Sequence, residues 1–284
     1  MLSANGTIFT YEREGIIPGL LKRWYAERKE MQAKLKEAIT SGDKEAEEYW
    51  DKRQLVKKIN LNSLYGAILN QGCRFFDKRI GQSTTLTGRQ ITKHMAAKVN
   101  EIITGDYDHI GKAIIYGDTD SCYFSAYETL KPDIINGSIP WSKENVATLY
   151  DQIGSEVNDT FSQFMLDMFH CPKSRGEVIK AGREIVGSKS LFITKKRYAV
   201  LVYDKEGKRK DKDGKMGDIK AMGLDLKRAD TPKYIQEFLM NVLEMVIQQG
   251  KGRDDVIGVI KDFKRGLRSE EHTSELQSLR HLVC

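Results

Sequence analysis

Residues 113–123 read Ala-Ile-Ile-Tyr-Gly-Asp-Thr-Asp-Ser-Cys-Tyr. The apolar run 113–116 leads into Gly117, and Asp118 and Asp120 follow with only Thr119 between them. A second strand-like run, 122–125, leads away, so the pattern is strand, tight turn, strand, with both acids at the tip. Two carboxylates this close repel each other unless a cation lies between them or one holds a proton. Hard oxygen donors on a rigid hairpin suit Mg²⁺, with Mn²⁺ as a substitute. A solvated turn is the competing reading, because Asp and Gly are ordinary turn residues.

The chain of 284 residues is long enough for one large domain or two ordinary ones. No apolar run approaches the roughly 18–20 residues that a membrane span needs, so no membrane partner is expected. The first ten residues show no basic segment followed by an apolar one, and thus no signal-peptide pattern. Cys73, Cys122, Cys171 and Cys284 are widely spaced and form no Cys-x-x-Cys pair, which suits a reducing, cytoplasmic compartment. The net charge of +6 fits an anionic partner and fits plain lysine solvation equally.

Outward from the hairpin, segment 5–14 alternates as a short strand. A helical pattern starts at Ile17, with Pro18 in the first turn and Leu20, Leu21, Trp24, Met31, Leu35 and Ile39 at helical spacing. Ser41-Gly42-Asp43 is a turn, and a second long helix runs from about Lys44 to Leu64. Together they predict a charged helical hairpin, an arm more than a packed bundle. Segment 72–80 is irregular and aromatic. Thr87-Gly88-Arg89 then opens a helix carrying Ile91, Met95, Val99 and Ile102. Beyond the acidic hairpin, 132–140 reads as a loop and 145–169 as an amphipathic helix. Strands are expected at 184–186, 191–194, 197–203 and 219–223, with a polar turn at 205–218. Thr231-Pro232 caps and starts a last helix. Strands and helices mix without a βαβ rhythm, so the fold class is α+β with an antiparallel sheet.

Segment 268–278, Arg-Ser-Glu-Glu-His-Thr-Ser-Glu-Leu-Gln-Ser, has no apolar period. It resembles the frame translation of a sequencing-library adapter. The expectation is a non-native tail over 268–284, with a weakly ordered natural tail as the alternative.

On the second arm helix Lys58, Asn62 and Tyr65 are spaced i, i+4, i+7 and share one stripe. A cation, an amide and a phenol in a row could read a nucleotide, and Arg28 on the opposing helix could hold a triphosphate. The bland alternative is a solvated polar face.

Lys57-Lys58-Ile-Asn-Leu-Asn-Ser-Leu-Tyr-Gly66, followed about fifty residues later by Tyr116-Gly-Asp-Thr-Asp-Ser121, resembles the family B DNA polymerases, nearest to those of large tailed phages. The resemblance implies a polymerase palm with an antiparallel sheet, a helical-hairpin fingers domain and the start of a helical thumb. It places a palm strand at 1–15, fingers at 16–70, palm at 71–230 and the thumb root at 231–267. It makes Arg28, Lys58, Asn62 and Tyr65 the dNTP site and Asp118 and Asp120 the ligands of two Mg²⁺ ions, Asp120 directly. Thr85, Gly88 and Arg89 match the family's Thr-x-x-Gly-Arg element near the primer-template. Lys195, Lys196, Arg197 and Tyr198 match its Lys-Lys-Arg-Tyr motif on the primer duplex. Glu184 resembles an auxiliary acid near the metals, but the acid found two residues earlier in the phage relatives is Gly182 here, and a structural ion pair is the alternative. The implied partners are primer-template DNA, dNTPs and, for a full-length protein, a sliding clamp, in a host-cell cytoplasm if phage-encoded. The family's Asp-x-x-Ser-Leu-Tyr-Pro-Ser type of motif does not occur in this sequence. The chain is therefore expected to be a fragment, inactive alone. A DNA-binding remnant without activity and a signalling nucleotidyltransferase are the other readings, and the second has no use for residues 195–198.

Overall fold

The computed structural model describes residues 1–212 and 214–268; residues 269–284, almost all of the segment read as a non-native tail, lie outside them. In chain order the elements are α1 (Ile16–Ser41), α2 (Lys44–Leu69), α3 (Lys78–Thr104), β1 (Ile114–Asp118), β2 (Ser121–Phe124), α4 (Tyr127–Ile135), α5 (Lys143–Phe169), α6 (Lys173–Gly176), β3 (Ile185–Thr194), β4 (Arg197–Lys205), β5 (Lys208–Arg209), β6 (Asp218–Met222), a 3₁₀ turn (Asp225–Lys227), α7 (Lys233–Ile247) and α8 (Arg253–Arg268). The chain is α+β, and every strand pairing among the described residues is antiparallel. The described residues divide into two compact units, 1–126 with 156–180, and 127–155 with those from 181 onward.

In the first unit α1 and α2 form the expected helical hairpin. Gly42, at φ 75°, ends α1, and the Asp43 carboxylate caps α2 by accepting from the Ala46 N–H at 3.0 Å. Glu27 pairs with Lys57 and Arg28 meets Gln54, so the two helices run antiparallel. Only Ala38 on α1 and Ile68 on α2 are fully buried, while Leu20, Leu21, Trp24, Met31 and Leu35 on α1 and Trp50, Leu61 and Leu64 on α2 are half-buried, so apolar and polar contacts share this seam.

The helix α3 begins nine residues before Thr87, where the sequence pattern placed it. Its true N-cap is Asp77, which accepts from the Arg79 N–H at 2.8 Å. The first turns hide from an apolar-period search because their buried face is polar. Ser83 and Thr87 are buried, and they bond Asn5 Oδ1 at 2.8 Å and the Ala4 N–H at 3.2 Å. The N-terminal segment is correspondingly not the expected strand at 5–14. It forms a single bridge, Leu2 with Ile8, and spends its polar groups on α3.

His94 lies in the core of this unit. Its ring stacks on Phe164 with centroids 3.9 Å apart. Nε2 lies 2.9 Å from Thr160 Oγ1, and Nδ1 lies 2.8 Å from the Tyr107 hydroxyl. Thr160 already donates its proton to the Val157 carbonyl, so His94 donates from Nε2 and accepts at Nδ1. Burial pushes its pKa down to about 4.

In the second unit β4 is the central strand, flanked along its length by β3 and on its other edge by β6 and the short β5. The segments 184–186 and 191–194 are one strand. Gly187 lets the sheet continue between them, since a Cβ there would meet Val200 Cγ1 at 2.3 Å. Ala199, Leu201 and Ala221 pack with Leu226, Ile247 and the apolar face of α7, and a second cluster joins Val186 and Tyr203 to Val146 of α5. Three details depart from expectation. Helix α4 contains Pro132, within the segment read as a loop, and ends three residues later. The polar turn 205–218 holds β5. Pro232, not Thr231, occupies the cap position of α7, without a side-chain bond. Gly223, at φ 62°, lies against the β3–β4 turn, where a Cβ would come within 2.0 Å of the Lys196 carbonyl oxygen.

Two predictions rest on this packing. His94 titrates lower folded than unfolded, so its contribution is complete above the unfolded pKa of about 6.5 and is lost as pH falls toward 4. Denaturant titrations should show about 2 kcal/mol lost from this group between pH 7 and pH 5, and His94→Gln should lack that increment. Gly223→Ala should cost about 2–4 kcal/mol, from a left-handed φ and a backbone clash. Gly105→Ala, also at positive φ but with open space around it, should cost only about 1 kcal/mol in the same denaturant titrations.

Candidate active site

The acidic tip is a strained turn. Thr119, a β-branched residue, sits at φ 47°. The Asp120 N–H reaches back to the Asp118 carbonyl at 2.6 Å, and the Ser121 hydroxyl donates to the same carbonyl at 3.1 Å. The Thr119 hydroxyl donates to Asp118 Oδ1, also at 3.1 Å. Asp118 is half-buried at the end of β1, whereas Asp120 is exposed in the turn. The two acids thus stand in different settings although they are two residues apart. In the same hairpin, burial pushes the Cys122 thiol up to about 12, so it is no nucleophile at neutral pH.

On the arm the predicted stripe is one helical row, and it extends a turn further than the sequence reading took it. Gln54 precedes Lys58, Asn62 and Tyr65 on that row. Arg28 donates to Gln54 Oε1 from Nε and Nη2, at 3.4 Å each. The arginine is thereby held across from the row, one turn from Lys58. The neighbouring lysines divide: Lys57 turns into the seam, onto Glu27 and over the Trp24 ring, while Lys58 and Asn62 are exposed. The Lys57 ammonium holds the Glu27 carboxyl below its usual range.

Tyr65 ends the row by donating its hydroxyl to the Gly81 carbonyl of α3 at 3.4 Å. On α3, Gly81, Thr85, Gly88 and Thr92 again share one stripe. Thr85 returns its hydroxyl to the Gly81 carbonyl at 3.2 Å, and Arg89 beside Gly88 is exposed. Thr92 donates to the Thr119 carbonyl at the acidic tip, at 2.9 Å. One helix therefore touches the arm at one end and the two aspartates' turn at the other. Gln54 was detectable in the sequence, as the residue four before Lys58. Thr92 carried no sequence signal, because its partner is a main-chain carbonyl.

The remaining predicted residues belong to the second unit. Lys195 and Lys196 form the two-residue β3–β4 turn, with Lys196 at φ 61°. Both lysines and Arg197 are exposed, and Arg197 lies 4.0 Å from Asp225. Tyr198 is buried and stacks on Phe192 with centroids 5.3 Å apart, so the basic quartet consists of three surface cations and one core aromatic. Glu184 accepts from Lys220 Nζ at 2.9 Å, the ion pair that was the alternative to metal ligation. Arg183 grips Asp151 through two hydrogen bonds, of 2.6 and 3.0 Å, and also binds buried Asp204.

Among the described residues no three His, Cys, Asp or Glu side chains gather into a metal-binding group. The donors at the tip, Asp118 and Asp120, are carboxylate oxygens at a water-facing turn. That set fits Mg²⁺, which takes one or two carboxylates and fills its shell with waters and phosphate oxygens.

The sequence matches DNA polymerase family B over residues 3–168 and 176–283. It is 29% identical over 208 residues to the DNA-directed DNA polymerase of Escherichia phage RB69, covering 70% of this chain and 22% of that protein. The corresponding enzyme of Enterobacteria phage T4 is 29% identical over 237 residues, 77% of this chain and 25% of that protein. DNA polymerase 1 of Pyrococcus abyssi is 25% identical over 266 residues, 94% of this chain and 28% of that protein. The chain thus spans about a quarter of the length of these relatives. An acidic hairpin and a Lys/Asn/Tyr helix row, both seated on α3 and both inside the matched residues, agree with that result: the chain belongs to DNA polymerase family B.

Proposed function

We propose that this chain is the nucleotide- and metal-binding segment of a template-directed DNA polymerase. In this reading α1 and α2 are the fingers, residues 1–15 and 71–230 the palm, and α7 and α8 the root of the thumb. The observation that carries the reading is the single helix α3, which bonds the nucleotide row at Tyr65 and the acidic tip at Thr119.

The reaction is attack of a primer 3′-hydroxyl on the α-phosphate of a dNTP, with pyrophosphate leaving. Asp118 and Asp120 would hold the Mg²⁺ ions, which supply Lewis-acid stabilisation of the attacking and leaving oxygens. Lys58 and Arg28 neutralise the β- and γ-phosphates as charge moves toward pyrophosphate. Gln54 keeps the Arg28 fork facing the row, and Asn62 adds an amide contact. Tyr65 presents its ring beneath the nascent base pair, with its hydroxyl tied to the Gly81 carbonyl. With that proton committed, the ring tests pair shape by contact and leaves base choice to the template. Thr85, Gly88 and Arg89 lie toward the primer-template. Lys195, Lys196 and Arg197 neutralise backbone phosphates of the duplex, while Tyr198 anchors their turn in the sheet. Glu184, bonded to Lys220, keeps a second carboxylate oxygen and stays an auxiliary candidate in the proposed metal set. The proposed partner of the whole polymerase is a sliding clamp.

The sequence lacks the family's Asp-x-x-Ser-Leu-Tyr-Pro-Ser type of motif, so the chain by itself is not expected to extend a primer. In a complete polymerase carrying this segment, Mg²⁺-dependent primer extension should fall by a factor on the order of 10³ in Asp120→Ala, with a smaller loss in Asp118→Ala. Full activity in Asp120→Ala would reject the site. Lys58→Ala should lower kcat by roughly 10²-fold and raise KM for dNTP. Lys195→Ala should weaken primer-template binding across all sequences and reduce the salt slope by about 1.

A further inference from the structure

The hairpin carrying Asp118 and Asp120 is held by α3 at both ends. At its base, Asn100 is 1% exposed and its Oδ1 accepts from the Ala113 N–H at 3.0 Å. The Asn100 amide is itself fixed, because Nδ2 donates to Thr104 Oγ1 at 3.0 Å and to the Asp106 carbonyl at 2.8 Å. Gly111 makes room for it: a Cβ there would fall 2.2 Å from Asn100 Nδ2. At the tip the contact with α3 is the Thr92 hydroxyl. Its one proton lies between the Thr119 carbonyl at 2.9 Å and the Gly88 carbonyl at 3.1 Å. Thr92 and Asn100 are eight residues apart on one face of α3, about 12 Å of helix. Their contacts therefore bracket β1 from entry to turn.

The tip needs that support more than the base does. Thr119 holds a left-handed φ that a β-branched residue disfavours by about 1–2 kcal/mol. Both carboxylates project from the same three-residue turn, so any relaxation of Thr119 re-aims both. We infer that Thr92 is a positioning residue for the acidic tip. Its hydroxyl holds the Thr119 carbonyl, and so keeps Asp118 and Asp120 in the geometry that receives a divalent cation. The same proton links the tip to Gly88 of the Thr-x-x-Gly-Arg element, so the acids and that element keep one register. The cation part of this inference rests on the polymerase reading; the positioning part does not.

The test uses the whole chain with Thr92→Val, which keeps the shape and removes the hydroxyl, and Thr92→Ser, which restores it. Two quantities are read: ¹⁵N order parameters of residues 119–121, and Mn²⁺ affinity followed by electron paramagnetic resonance. In the wild type and Thr92→Ser the tip amides should be rigid, with order parameters near about 0.85. In Thr92→Val they should fall below about 0.6, with amides of residues 94–104 unchanged. Mn²⁺ affinity should drop about tenfold in Thr92→Val and recover in Thr92→Ser. Unchanged tip order in Thr92→Val, or a loss of order that Thr92→Ser does not restore, overturns the positioning role. If the wild type takes up no Mn²⁺ that Asp120→Asn abolishes, the metal reading fails, and the order parameters still decide the role of Thr92.

Discussion

Much of the first unit is organised along α3, one unbroken helix from Lys78 to Thr104. A helix rises about 1.5 Å per residue and repeats its faces every three or four residues. Gly81 and Thr92 therefore point the same way from positions about 16 Å apart along the axis. The phenol of Tyr65 bonds at the first and the acidic turn at the second. The close approach of α2 to α3 has its own steric condition at Gly81. A Cβ there would lie 2.0 Å from Leu69 Cδ2, so any side chain would displace the Leu69 side chain from its place against α3. A glycine inside a helix costs about 1 kcal/mol relative to alanine. Here the glycine lets the Leu69 side chain at the end of α2 lie directly against α3.

Electrostatics divides the polar residues into those that are neutralised locally and those that stay exposed. Lys57 is satisfied by Glu27, Arg183 by Asp151 and Asp204, Arg209 by Glu144 and Asp211, and Glu184 by Lys220. These pairs hold helices and strands in place. Lys58, Asn62, Arg89 and Lys195 are exposed instead. Exposed cations on fixed elements suit a phosphate backbone or a triphosphate, whose charge they meet without first breaking an internal pair. The acidic tip is the complementary case: two carboxylates in a strained turn, aimed by neutral hydroxyl and backbone contacts.

The hairpin was legible because its signal is local: an apolar run, a turn glycine, two acids and a second run. The helical arm was legible from its period and from the Ser-Gly-Asp turn between its halves. The row Lys58, Asn62 and Tyr65 followed from spacing, and Gln54 could have been added by the same rule. Local signals failed where partners are remote. The start of α3 was misplaced because Ser83 and Thr87 bury hydroxyls against the N-terminal segment, and polar burial leaves no hydrophobic period. The strand β3 was split because the run Gly187-Ser188-Lys189-Ser190 has poor strand propensity, although β4 supplies the pairing. Glu184 could not be placed, since nothing local distinguishes a metal ligand from the partner of a lysine on β6.

The sequence by itself determined the chemistry this protein carries: which residues are acids, cations and aromatics, and which share a turn or a helical face. Those properties depend on neighbours within four positions, and helix and strand geometry convert them directly into faces. Only the tertiary structure decided which of those groups are already spoken for. Lys57 and Lys58 are adjacent and chemically identical, and the packing of α1 on α2 turns one into an ion pair and leaves the other exposed. Tyr198 ends a basic quartet, and the sheet buries it. Thr92 looks like any helical threonine until the fold brings a strained carbonyl to within 2.9 Å of its hydroxyl. The reason is the same each time: a hydrogen bond or an ion pair is settled by distances of a few ångströms between atoms far apart in the chain.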